Sequence, residues 1–149
     1  MYFVNREKIE DTLTYMDQLL TEFEENQPLD TIKDKLAYER FATVVIESII
    51  DVGNSMIDGF IMRDPGSYED IVEILFDEKV LQEEEAAALK KVVSLRKPLV
   101  TDYTQIKHED VQAVIQTERK ALESFSSHVR RYLIEELGPV SAFLPEQNY

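Results

Sequence analysis

From Phe41 to Phe60 large apolar side chains dominate: Phe41, Val44, Val45, Ile46, Ile49, Ile50, Val52, Met56, Ile57 and Phe60. Asp30 offers a cap ahead of this stretch and Asp58-Gly59 closes it. The segment therefore reads as one helix of about 43 Å. A helix that is apolar nearly all round has to be covered on more than one side. One small bundle seldom manages that, so the pattern predicts a second copy of the chain packed on it, a homodimer with twofold symmetry. Gly53, in mid-helix, costs about 1 kcal/mol relative to alanine. It either marks a close helix crossing or is incidental.

The charged and amide residues from position 40 to 58 form a line: Arg40, Glu47, Asp51, Asn54 and Asp58. At about 100° per residue they stay within roughly 60° of one another. Such a stripe is either a strip of solvent-facing surface or the wall of a polar cleft. Glu47, Asp51 and Asn54 are the cleft-lining candidates, because carboxylates in an apolar seam need partners.

The other helices follow from spacing. Asn5 reads as a cap for a helix over about 6–26 that carries Ile9, Leu13, Met16, Leu20 and Phe23 on one stripe. Gln27-Pro28 breaks it. Arg63-Asp64-Pro65-Gly66 is a turn, and Ser67-Tyr68-Glu69-Asp70 opens a short third helix in the manner of a capping box. Glu83-Glu84-Glu85 opens a fourth, expected to run to Tyr103, and a fifth spans about 109–137 before Gly138-Pro139. No strand-like alternation is visible. The expectation is all-α: an antiparallel bundle of about five helices in one domain, residues 1–139, with a tail at 140–149.

Of 149 residues, 16 are Lys or Arg and 30 are Asp or Glu, a net charge of −14. The imbalance is local. Residues 1–89 hold 7 basic and 22 acidic side chains, whereas residues 90–131 hold 9 and 5. A polyanion is repelled by most of the chain and tolerated by 90–131, unless those cations are ordinary helix-surface charge. With no Cys, two His and four dispersed Gly, thiol chemistry, a His-rich metal centre and a Gly-rich phosphate loop are excluded, so no metal site and no cofactor are expected. No signal segment or membrane span is legible, which points to a cytoplasmic protein.

Two further groups of residues complete the pattern. Leu36-Ala37-Tyr38-Glu39-Arg40 leads into Ile46-Glu47-Ser48-Ile49-Ile50-Asp51-Val52-Gly53-Asn54, and Leu95-Arg96-Lys97-Pro98-Leu99-Val100-Thr101-Asp102-Tyr103 follows later. With Ser67-Tyr68-Glu69-Asp70 these resemble the HepT-like branch of the HEPN superfamily over nearly the whole chain. The resemblance implies a dimerising all-α bundle and a ribonuclease toxin. It also implies a minimal nucleotidyltransferase antitoxin that silences the toxin by adenylylating its motif tyrosine. The family motif is R-x-x-x-x-H-x-Y. Arg96 takes its arginine position and Tyr103 its tyrosine, the expected site of modification. The histidine position holds Thr101.

Cleavage of RNA by its own 2′-hydroxyl needs a proton acceptor, a proton donor and a cation for the charged phosphorane. Arginine supplies the cation through its donor fork, and histidine supplies the proton chemistry. Threonine has no accessible pKa near 7, so activity is expected to be weak or lost. Arg96 and Tyr103, seven apart, would share a helix face to within about 20°. Arg96 alternatively only holds the bundle together through Glu47 or Asp51, and Tyr103 only packs. His108 and His128 lack the motif spacing and read as surface or capping residues. Pro98 implies either a kink beside Arg96 or a new helix starting there. The competing function is a non-catalytic dimeric module that binds a nucleotide or a protein partner. A purely structural bundle is the third.

Overall fold

The computed structural model describes residues 4–138. Pro139, the expected end of the domain, and the expected tail at 140–149 lie outside the described residues. Among the described residues the structure is all-helical, with seven α-helices and one short 3-10 turn. They are α1 (Arg6–Glu22), α2 (Ile32–Gly59), α3 (Tyr68–Asp77), α4 (Glu83–Val93), α5 (Arg96–Val100), the 3-10 turn Tyr103–Gln105, α6 (His108–Thr117) and α7 (Arg119–Leu137). The expected fourth helix is thus α4, α5 and the turn, and the expected fifth is α6 and α7.

Local chemistry sets most of the ends. The Asn5 side chain accepts from Lys8 N at 3.0 Å and starts α1. Helix α2 is capped by Thr31, not by Asp30. Thr31 Oγ1 accepts from Asp34 N, and the Asp34 carboxylate accepts from Thr31 N, a reciprocal box that satisfies two orphan donors. Helix α1 stops at Glu22, earlier than its pattern suggests. Arg119 reaches across from α7 and donates to the carbonyls of Leu20 and Phe23, which takes up acceptors the next turn would need. No glycine or proline lies between Gln116 and Arg119, and the break between α6 and α7 falls where Arg119 bonds to the Leu20 and Phe23 carbonyls.

Helix α2 is the axis of the core. It packs on α1, α3, α4, α5 and α6 of its own chain. Phe41, Val45, Ile46, Ile49, Val52, Met56 and Ile57 are buried as a result. The expectation that a second copy is needed to cover these residues is therefore corrected, because one chain wraps its own long helix. What stays open is the stripe. Arg40, Asp51, Asn54 and Asp58 are exposed and Glu47 is half-buried.

Gly53 does mark a close crossing. A Cβ there would lie 2.3 Å from Cγ2 of Ile71, a distance no real side chain tolerates. The missing side chain lets α3 seat directly on α2.

The positive segment 90–131 also has a structural account. Lys90 pairs with Glu73, Arg96 with Glu47, Arg130 with Glu10 and Asp17, and Arg119 with Glu123. Three of its nine cations, Lys90, Arg96 and Arg130, thus pair with carboxylates of α1, α2 and α3, so part of the opposite bias of the two halves is matched across the fold.

Candidate active site

Arg96 opens α5. The chain leaves helix at Ser94 and Leu95 and re-enters at Arg96. Pro98 is the third residue of the new helix, where its missing N–H leaves no intrahelical bond unmade. The new-helix alternative for Pro98 therefore holds, and the kinked one does not.

From this position Arg96 reaches the α2 stripe. Its Nε donates to Glu47 Oε1 at 2.6 Å. Its guanidinium carbon lies 4.5 Å from the centre of the Tyr68 ring. The hydrogen bond to Glu47 raises the guanidinium pKa, burial opposes that, and the Glu47 charge and Tyr68 add to it. Arg96 is cationic at every working pH. The bond to Glu47 takes one of its five N–H donors, and the Tyr68 hydroxyl engages the group as well. The rest form an edge suited to two oxygens of a phosphate.

The other candidate residues are placed differently. Thr101 and Tyr103 do not continue the helix of Arg96. Thr101 is the exposed C-cap of α5, and Tyr103 lies in the 3-10 turn with 67% of its surface exposed. The shared-face expectation for Arg96 and Tyr103 is corrected, since it assumed one continuous helix through Asp102. Tyr103 is also not a packing tyrosine. Asp51 and Asn54 stand exposed one and two turns beyond Glu47 along α2. His108 is the first residue of α6, half-buried, with Nε2 2.7 Å from Glu39 Oε2. It ties α6 to α2 and is not an open surface residue. His128 lies 3.6 Å from Glu85.

Tyr68 belongs to the site and was not legible as such. It sits at the first position of α3, behind the Ser67 cap, where the sequence shows only a helix start. The available signal was an aromatic residue set among the polar residues of a first turn. The loop before it is clamped. Arg63 donates twice to the Asp70 carboxylate, at 2.7 and 2.8 Å, and Gly66 N donates to the same group at 2.8 Å. These bonds, the Arg63 pair first, hold the Asp70 carboxyl down at about 2 against an ordinary 3.8. A depressed folded value means that the stabilisation is complete above 3.8 and is lost as pH falls through about 2. Asp70→Asn is therefore expected to lower the urea midpoint at pH 7, with the gap to wild type closing as the pH approaches 2. Parallel urea curves across that range check it. A gap independent of pH would exclude the clamp as its source.

Among the described residues no group of three or more His, Asp or Glu side chains could hold a metal ion. No helix among them is long and apolar enough to cross a membrane.

Comparison with known proteins agrees with this architecture. YutE of Bacillus subtilis (strain 168), whose name marks it as a candidate RNase, is 47% identical over 143 residues, 96% of this chain and 99% of YutE. A solved structure of YutE, described as a cytosolic protein of unknown function, superimposes with a TM-score of 0.91 at 46% identity, covering 95% of this chain and 99% of that one. A tri-AMPylated HEPN toxin of Shewanella oneidensis in complex with MNT antitoxin shares the fold, with a TM-score of 0.65 at 20% identity over 83% of this chain and 91% of the toxin. Residues 8–129 match the family described as "Ribonuclease HepT-like". The chain therefore belongs to the HepT-like ribonuclease family.

Proposed function

We propose that this chain is a HepT-type RNA-cleaving protein of low intrinsic activity, acting in the cytoplasm as a homodimer and paired with a nucleotidyltransferase antitoxin. The observation that carries the reading is Arg96, held by Glu47 and Tyr68 with part of its donor fork left for a phosphate. In the reaction a ribose 2′-oxygen attacks the adjacent phosphorus and the bond from phosphorus to the 5′-oxygen breaks. A 2′,3′-cyclic phosphate and a 5′-hydroxyl result. Arg96 stabilises the extra negative charge of the phosphorane. Thr101 has no group to take the 2′-proton at neutral pH, so solvent takes it and the rate is low.

Three features support the partners. Val100 and Tyr103 beside the site, and Ile32 and Leu36 on α2, are large exposed apolar side chains of the kind a second copy would cover. The exposed phenol of Tyr103 is open to adenylyl transfer, in which its oxygen attacks the α-phosphorus of ATP and pyrophosphate leaves. The HEPN toxin of similar fold is itself AMPylated and bound to an antitoxin.

The test incubates purified protein with single-stranded RNA in the presence of a chelator and looks for cyclic-phosphate ends by mass spectrometry. Wild type is expected to form them slowly and Arg96→Ala not at all. Equal product from both, or none from wild type at high enzyme concentration, would remove the enzyme claim. The second reading, a non-catalytic dimeric module for a nucleotide or protein, is favoured by Thr101 and by the acidity of the first 89 residues. Heat of nucleotide binding without RNA cleavage would select it.

A further inference from the structure

We propose that Tyr68 is a positioning residue, whose ring fixes the plane of the Arg96 guanidinium so that its free edge meets an RNA phosphate. The proposal rests on the ribonuclease reading above and extends it to a residue outside the family motif.

Three independent features converge on Tyr68. The first is the contact itself. The Arg96 guanidinium carbon sits 4.5 Å from the ring centre, while Nε is bonded to Glu47. Two restraints on one planar group, a carboxylate on Nε and a ring face beneath it, set both its direction and its tilt. A carboxylate alone would leave the whole plane free to turn about the hydrogen-bond axis between Nε and Glu47.

The second feature is the rigidity of the ring's mounting. The Ser67 hydroxyl accepts from Asp70 N at 3.0 Å, and Asp70 in turn holds Arg63 and Gly66 N. The backbone on either side of Tyr68 is thus tied to one carboxylate. The third feature is the crossing at Gly53. Ile71 follows Tyr68 by three residues and so lies on the same side of α3. Its γ-methyl occupies the space that a Cβ at position 53 would fill. That close seating fixes how near α3 lies to α2, and Arg96 bridges from Tyr68 on the one to Glu47 on the other. Tyr68 is still 44% exposed, so the ring is not there to fill the core.

A direct role for the ring, stacking on an RNA base, is a different mechanism and gives a different result. The experiment is a double-mutant cycle on binding of a fluorescent single-stranded oligonucleotide, read by anisotropy. Tyr68→Leu is expected to weaken binding by roughly 3- to 30-fold. Tyr68→Phe, which keeps the ring, is expected to recover most of that loss. In an Arg96→Ala background Tyr68→Leu is expected to cost nothing further, because its effect runs through the guanidinium. Without RNA, the Arg96 Nε–H resonance is expected to lose its ring-current shift in Tyr68→Leu. Additive losses in the cycle, or an unmoved Nε–H resonance in a variant with a native melting curve, would overturn the positioning role alone. Failure of wild type to bind the oligonucleotide would overturn the ribonuclease reading together with it.

Discussion

Thr101→His is expected to raise RNA cleavage by roughly 10²–10⁴-fold, the usual contribution of a positioned acid–base group. The scaffold around the position favours this outcome. Thr101 caps α5 and is exposed, so an imidazole enters without displacing core. Arg96, five residues earlier, is already held in place by Glu47 and Tyr68. On the proposed reading, the proton acceptor and donor that an imidazole supplies are then what the site lacks. The pH profile should change with the rate. A solvent-driven reaction rises steadily with pH, whereas a histidine-driven one levels off near the imidazole pKa. Single-turnover rates of both proteins between pH 5 and pH 9 give the answer. A variant no faster than wild type would overturn the reading that the absent imidazole limits the rate.

The largest expected change in stability is Phe41→Ala. Phe41 is 2% exposed and lies in an aromatic cluster. Its ring stacks on Phe23 at 4.5 Å and meets the edge of Tyr38 at 5.2 Å. Burial also pushes the Tyr38 phenol up to about 12, a sign of how little water reaches this corner. Removing the ring takes away its transfer free energy and leaves a cavity between α1 and α2. The cost should be about 3–5 kcal/mol. Urea unfolding with an unchanged m-value measures it, and a loss below about 1 kcal/mol would mean that the cluster collapses to fill the space.

The sequence carried the helical architecture well because the apolar stripes are clean. Ile9, Leu13, Met16 and Leu20 are all buried, and the caps at Asn5 and Ser67 are where local hydrogen bonding predicts them. It failed where distant side chains decide. Arg119 of α7 ends α1, and no local signal reports that. The continuous rod expected from Glu83 to Tyr103 breaks at Ser94, so the helical geometry relating Arg96 to Tyr103 does not apply. At the site, the pairing of Arg96 with Glu47 was legible as one alternative, since an acid stripe on a buried helix calls for a cation. Tyr68 was not. Its meeting with Arg96 joins residues 28 positions apart and depends on how closely α3 lies on α2.

That closeness has an outcome for how the protein can change over time. Residues 53 and 71 compete for a single methyl-sized volume. Drift at either site is therefore constrained by the other. A β-carbon at 53 becomes admissible once the branch at 71 is trimmed, and the two exchanges made together should be far milder than the first made alone. The pair would evolve as one unit, with the arginine platform as the passenger.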